Sequence, residues 1–294
     1  ISIIILIYLY RQTFKHTDMY MKKTTLFLLC ILFSLGISAQ TPFYFIQLTD
    51  PQFGMIDKNA SFDKETALME KAVKQINKLN PGFVVVTGDL VNDGNNADQI
   101  KEFKRILATL RKDIPVYLTP GNHDVGQQPT SASLAGYIDT YGYDCFSFQM
   151  NGTCFIGINT QIIWADVKEA EQSQLVWLTK VLENSQKCTH RILFGHHPVF
   201  VHSADEADKY DNFPLAKRND YLNLFNRFNV SDQFAGHLHY NSNGQHGNFR
   251  ITGTSAVGMQ IGKEKSGLRI VKVYPDKIES TYYPLDEVPA IVEL

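Results

Sequence analysis

The run "GFVVVTGDL", Gly82–Leu90, is continuously apolar from Phe83 to Val86 and closes on Gly88 and Asp89. Such a run reads as a strand buried on both faces, so the chain must cover a sheet from two sides. Its neighbours supply the cover. "FYFIQLT" precedes it as one strand and "PVYLTPGNHD" follows as another. Between them, "SFDKETALMEKAVKQINKLN" sets Leu68, Ala72, Val73, Ile76 and Leu79 on one helical face, and "ADQIKEFKRILATLRK" aligns Ile100, Phe103, Leu107 and Leu110. This βαβαβ rhythm predicts parallel strands joined by right-handed crossovers.

The second half is less regular. Asn151-Gly152 marks a hairpin within 143–159, and residues 169–185 read as a helix with Leu175, Leu178 and Leu182 inward. "HRILFGHHP" and "DQFAGHLH" read as strands, with a short helix over 220–228 between them. "NFRITGTSA" and "LRIVKVYPDKIESTYYPL" read as a closing set of antiparallel strands, and His246 falls in a hairpin turn. No repeat or low-complexity linker divides the chain, so residues 40–294 are expected to form a single α/β domain with two packed sheets.

The first forty residues stand apart. "MKKTTLFLLCILFSLGISAQ" begins with Met21, Lys22 and Lys23, runs through an apolar block and closes on small residues at Ala39. That is the layout of a secretory signal peptide over 21–39, its apolar block short for a membrane span. Residues 1–20 read as sequence upstream of the true start. Export is therefore expected, periplasmic or extracellular, with no stable membrane span in the mature chain. Removing residues 1–39 moves the formal charge from −2 to −5, because Arg11, Lys15, Lys22 and Lys23 leave with Asp18. That mild acidity points away from a nucleic-acid partner.

Three cysteines remain: Cys145, Cys154 and Cys188. With Asn151-Gly152 as the turn, Gln149 faces Cys154, which places Cys145 four positions too far along its strand for a bridge. Small buried thiols are the expectation.

Polar residues collect at the strand exits, where ligand sites form in open α/β sheets. The exits are Asp50 with Gln52, Asp89 in "TGDL", Asn122, His123 and Asp124 in "PGNHD", His196 and His197 in "GHHP", and His237 and His239 in "GHLH". Pro51 is expected to hold Asp50 extended, so that Asp50 and Gln52 point the same way; His237 and His239 are expected to do likewise. A buried Asp89 needs a cation, and two histidines spaced across one residue suit a metal. Either His196 or His197 could serve as the ligand, and Asp124 could orient or charge His123. Together these exits carry enough acids, amides and imidazoles for two divalent ions.

In order, "TDPQ", "GDL", "GNHD", "HHP" and "GHLH" resemble the motifs of the calcineurin-like metallophosphoesterases, over most of the mature chain. The resemblance implies a four-layer sandwich of two mixed β-sheets flanked by helices. It implies one ion on Asp50, Asp89 and His239 and another on Asp89, Asn122, His196 and His237, with His123 at the phosphoryl group or the leaving oxygen. One position departs: Gln52 stands where the family carries histidine, a form similar to a narrower branch described as serine/threonine phosphatases. An amide there makes the site richer in oxygen and shifts it from Zn²⁺ toward Mn²⁺, Mg²⁺ or iron, Mn²⁺ being favoured. Gln52 is not counted among the ligands. The implied reaction is attack of a metal-activated hydroxide on a phosphomonoester. A phosphodiesterase, a metal-binding protein without catalysis and a metal hydrolase of other bonds are the alternatives. "VHSADEADKYDNFP" reads as a solvated loop beside the site, Trp164 and Tyr210 read first as packing residues, and the oligomeric state is not encoded in any pattern seen here.

Overall fold

The computed structural model describes residues 40–294, so the expectations for 1–20 and for the leader at 21–39 lie outside the described residues. In chain order the first elements are β1 (Phe43–Leu48), α1 (Asp63–Leu79), β2 (Val84–Thr87), α2 (Ala97–Leu107), β3 (Val116–Thr119), α3 (Asn122–Val125) and α4 (Ser131–Tyr141). Then come β4 (Phe146–Met150), β5 (Thr153–Gly157), α5 (Thr160–Trp164), α6 (Lys168–Asn184), β6 (His190–Phe194), α7 (Leu215–Arg227) and β7 (Asp232–Ala235). Four strands finish the fold: β8 (Ser242–His246), β9 (Phe249–Gly253), β10 (Gly267–Val273) and β11 (Ile278–Pro284).

One sheet has the order β11-β10-β1-β2-β3 and the other β4-β5-β6-β7-β9-β8. The expected parallel pairing of β1, β2 and β3 is present, with Ile46 opposite Val84 and Val84 opposite Val116. Strand β10 adds to β1 antiparallel, which makes the sheet mixed. The second sheet is parallel from β5 through β9, with antiparallel strands β4 and β8 at its edges. The antiparallel reading of "NFRITGTSA" is therefore half corrected: β9 is antiparallel to β8 but parallel to β7. Strand β8, "SNGQH", has no apolar alternation and gave no signal.

Alternation along the strands makes the layers. Phe83 and Val85 face the other sheet while Val84 and Val86 face α1 and α2. Likewise Ile192 and Phe194 point between the sheets while Leu193 packs toward Leu178, Leu182 and Phe225 of the opposite helical layer. The result is helices, sheet, sheet, helices. Phe45 is the hub of the middle layer, stacked on Phe83 at 4.6 Å and edge-on to Phe155, Phe194 and Phe234 at 5.5–5.8 Å.

The hairpin register is as expected, Gln149 opposite Cys154 and Met150 opposite Thr153. The thiols are not. Cys154 bridges Cys188, Cα atoms 5.8 Å apart, and among the described residues Cys145 stays free. Parallel pairing sets Thr153 beside His190 and so carries the end of α6 back to β5, a closure across 34 residues that the local pattern does not reveal. No helix among the described residues is long and apolar enough to cross a membrane.

Candidate metal centre

The carboxyl ends of β1, β2, β3, β6 and β7 meet at one edge of the two sheets, and every exit named from the sequence lies there. The backbone at these exits is not extended. Asp50, Gln52, Asp89, His237 and His239 all have left-handed φ, between 40° and 70°. The expectation that Pro51 and Leu238 separate two side chains projecting alike from extended chain is thus corrected. The cause is the lacing of the first two loops: Asp50 N–H donates to the Gly88 carbonyl at 3.2 Å, and Gln52 N–H to the Asp89 carbonyl at 2.9 Å. In the last loop Leu238 N–H turns back to the Gly236 carbonyl at 2.8 Å. Left-handed non-glycine residues cost on the order of 1–3 kcal/mol each and cluster where function requires the geometry.

Each aspartate has one oxygen fixed and one aimed inward. Asp50 Oδ2 accepts from Thr49 Oγ1 at 2.6 Å and from His237 N–H at 3.1 Å, leaving Oδ1 without a hydrogen-bond partner, 3.3 Å from His239 Nε2. Asp89 Oδ1 accepts from His123 N–H at 2.9 Å, and Oδ2 lies 3.1 Å from His196 Nε2. Gly236 is required here, since a Cβ would stand 1.8 Å from Thr49 Oγ1.

The histidines follow the same logic. His196 Nδ1 donates to the Thr87 carbonyl at 2.9 Å and His239 Nδ1 to the Met259 carbonyl at 2.6 Å; His237 Nε2 donates to the Tyr210 carbonyl at 3.2 Å. A carbonyl can only accept, so the outer nitrogen of each ring carries the proton and the inner one is free to bind. His196 Nε2 then faces Asp89 Oδ2, Asn122 Oδ1 at 3.1 Å and His237 Nδ1 at 3.2 Å. Four electron-pair donors converge on one point. Such a set is stable only around a cation or a proton.

The titration behaviour agrees. Burial pushes the Asp50 and Asp89 carboxyls up, yet His239 and His196 outweigh it at Asp50, and His196 with His123 at Asp89, so both stay below the usual carboxylate range. Burial opposes protonation of His196, but Asp89 and Asp50 raise it to about 9. Burial and the His196 charge push His237 down to about 3. A proton on His196 thus stands where a cation fits, and the donor set suits one. The ligating atoms of Asp50, Asp89 and His239 lie within 4.8 Å of one another, and so do those of His196, His197 and His237.

Some placements differ from expectation. The Asp124 carboxylate does not reach for His123: it accepts from the backbone N–H of Leu90, Val91 and Gly121, and His123 Nδ1 donates instead to the Asn92 carbonyl at 2.9 Å. Burial and the Asp89 charge push Asp124 up to about 8. Asp124 ties two exit loops together. Of the two histidines in "GHHP", His196 has the carbonyl anchor; His197 has neither ring nitrogen bonded and packs between Trp164 and His237. Tyr210, read from the sequence as a packing residue, and Asn92, which carried no signal there, both hold site side chains in place. The Tyr210 hydroxyl accepts from Asn122 Nδ2 at 3.0 Å and Gln127 Nε2 at 2.9 Å, which turns Asn122 Oδ1 toward His196. Both residues act across tens of positions, so no local spacing signals them.

The model of the family "Calcineurin-like phosphoesterase" matches residues 43–241. The chain is a calcineurin-like phosphoesterase. Rat serine/threonine-protein phosphatase CPPED1 is 37% identical over 265 residues, covering 84% of this chain and 85% of the relative. The human CPPED1 sequence is also 37% identical, over 266 residues with the same coverage. Among solved structures, a dimetal phosphatase from Danio rerio superposes with TM-score 0.61 at 16% identity over 83% of this chain and 97% of its own, which shows the shared fold. As a calcineurin-like phosphoesterase the chain is a phosphoric ester hydrolase, and its clustered carboxylates and imidazoles could hold metal ions.

Proposed function

We propose that this phosphoesterase hydrolyses phosphomonoesters, phosphoserine and phosphothreonine side chains among them, with two divalent cations of which Mn²⁺ is preferred. Asp50, Asp89 and His239 would hold one ion, and Asp89, Asn122, His196 and His237 the other. The observation that carries this reading is the set of three imidazoles, each with its outer nitrogen on a backbone carbonyl, the inner nitrogens of His196 and His239 beside aspartate oxygens and that of His237 beside His196 Nε2. When bound, such a pair of ions supplies an activated water and neutralises phosphoryl charge. The protein's own residues do the rest. His123, its Nδ1–H committed to the Asn92 carbonyl, would serve through Nε2 as the general acid at the leaving oxygen. The Asp89 carboxylate fixes the His123 backbone. Beside His123 a cavity of about 700 Å³, bordered by Asn92, Gln127 and Tyr137, gives room for a leaving group larger than a small alcohol.

The substrate class rests on the 37% identity to CPPED1. A Vibrio vulnificus 3',5'-cyclic adenosine monophosphate phosphodiesterase matches at 23% over 84% of the chain, so diester hydrolysis is the reading that competes. Assays with Mn²⁺ on p-nitrophenyl phosphate, its bis-ester and phosphopeptides decide between them; faster bis-ester turnover would reverse the assignment. His123→Ala is expected to lower kcat by about 10²–10⁴-fold while metal content stays at the wild-type level. Unchanged turnover removes the acid role. Export completes the proposal, supported by the leader-like sequence ending at Ala39 and by the Cys154–Cys188 bridge, since disulfides persist in oxidising compartments.

A further inference from the structure

The cavity beside His123 is bounded by the 91–95 loop, by α3 and by α4. The fold sets its walls. Gly94 N–H donates to the His123 carbonyl at 3.1 Å, and a Cβ on Gly94 would stand 2.2 Å from the Asp124 carbonyl oxygen, so the loop presses directly on α3. Gln127, which follows α3, is held through its own carbonyl by Gln161 Nε2 at 2.9 Å. The space is therefore preformed, and at about 700 Å³ it falls among pockets that enclose an organic ligand rather than a phosphoryl group alone.

Two features of the lining indicate what it takes. The first is Gly136, in the interior of α4. Its φ is not left-handed, and a Cβ there would meet nothing within 4 Å. Glycine is a poor helix former, and here neither the backbone nor a neighbouring atom calls for it. What the missing side chain keeps is open space along the cavity.

The second feature is charge. Asn92, Gln127, Gln128, Thr130 and Ser133 line the cavity with uncharged polar groups, and no lysine or arginine is among the described lining residues. Lys104 borders a neighbouring hollow, its Nζ donating to the Thr140 carbonyl at 3.0 Å. The Asp124 carboxylate is turned onto the backbone N–H groups of Leu90, Val91 and Gly121. Asp93 remains. It is half-buried and fixed in the loop, its N–H on Gln99 Oε1 at 3.0 Å and its Oδ1 accepting from Asn95 N–H at 3.0 Å. A further phosphate or carboxylate in the cavity would meet this charge with no cation in the lining, whereas a basic group would be drawn to it.

We propose that this cavity is the leaving-group subsite, that it takes the peptide flanking a phosphorylated residue, and that Asp93 selects a basic side chain there while Gly136 leaves it room. The inference rests on the phosphomonoesterase reading above and adds which substrates are preferred. Amide and hydroxyl side chains suit peptide groups, each of which carries a donor and an acceptor. A nucleoside polyphosphate or a bisphosphate would set its remaining phosphates against Asp93.

The test uses phosphoserine peptides alike except for Lys, Ala or Glu on both sides of the phosphoserine. Each kcat/KM is divided by that on p-nitrophenyl phosphate, so an effect common to all substrates cancels. Wild type is expected to favour the Lys peptide over the Glu peptide by about 10-fold. Asp93→Asn keeps the acceptor for Asn95 N–H and removes only the charge; it is expected to shrink that preference to about 2-fold or less. Gly136→Leu is expected to lower the ratio for all three peptides by about 5-fold, while its melting temperature holds or rises because leucine is the better helix former. Gly136→Ala, which adds a single methyl, is the folded control should the leucine variant melt early. Wild type with equal ratios for the Lys and Glu peptides, or a folded Asp93→Asn with the full preference, overturns the inference and leaves the phosphomonoesterase reading standing. So does turnover of p-nitrophenyl phosphate with none of any peptide. A wild type silent on every one of these substrates removes both.

Discussion

Asn92 serves the centre through two oxygens at once: its side chain holds the Gln52 amide and its backbone carbonyl holds His123 Nδ1. Only the first is open to removal by substitution. Thr49 works in a comparable way, its hydroxyl reaching Asp50 Oδ2. Thr49→Val is expected to cost about 1–2 kcal/mol and to weaken metal binding, read by denaturant unfolding and calorimetry. The residues proposed to bind were visible in the sequence because Asp, Asn and His at strand ends are costly without a purpose. Those that position them were not. Asn92, Tyr210 and Thr49 are ordinary polar residues whose partners are set by folding, and His196 could not be told from His197 until the Thr87 carbonyl was seen to choose between them.

At the scale of elements, the exits function because the strands feeding them are rigid. Phe45 in β1 touches both sheets, and Phe45→Ala is expected to destabilise the fold by about 3–5 kcal/mol, measured by chemical unfolding. The segment between β6 and α7 is held differently. Burial pushes the Glu206 carboxyl up, but the N–H groups of Val201, His202 and Ser203 and the Asn212 amide outweigh it and hold it below the usual glutamate range. A depressed carboxyl contributes stability that is present above its unfolded pKa of about 4.3 and is lost as pH falls through the lower folded value. Acidification below that window is expected to loosen the loop carrying Tyr210, reported by Trp164 fluorescence because Trp164 packs edge-on to Tyr210 at 5.6 Å. Glu206→Gln is expected to flatten the wild-type transition; an identical profile in both proteins would discard the assignment. The expected helices over 169–185 and 220–228 were found within a residue or two in the first case, but α7 begins at Leu215, directly after Pro214.

For the molecule as a whole, Cys154–Cys188 closes a segment of 34 positions, and its removal by Cys188→Ser is expected to cost about 2–4 kcal/mol, checked by unfolding with and without reductant. Bound metal would act on the same scale: a cation at about 100-fold over its Kd adds on the order of 2.7 kcal/mol, so a chelator is expected to lower the melting temperature of wild type and not of Asp89→Asn. The sequence by itself determined the βαβαβ rhythm, the two covered sheets and the acids and imidazoles at their exits, because burial and hydrogen-bonding cost act within a few residues and leave periodic marks. Only the tertiary structure decided the left-handed turns at Asp50, Gln52, His237 and His239, the Cys154–Cys188 partnership, the anchoring of His196 on the Thr87 carbonyl and the amide contact between Asn92 and Gln52. Those depend on backbone groups brought together from distant positions, and a carbonyl's location in space has no counterpart in residue spacing.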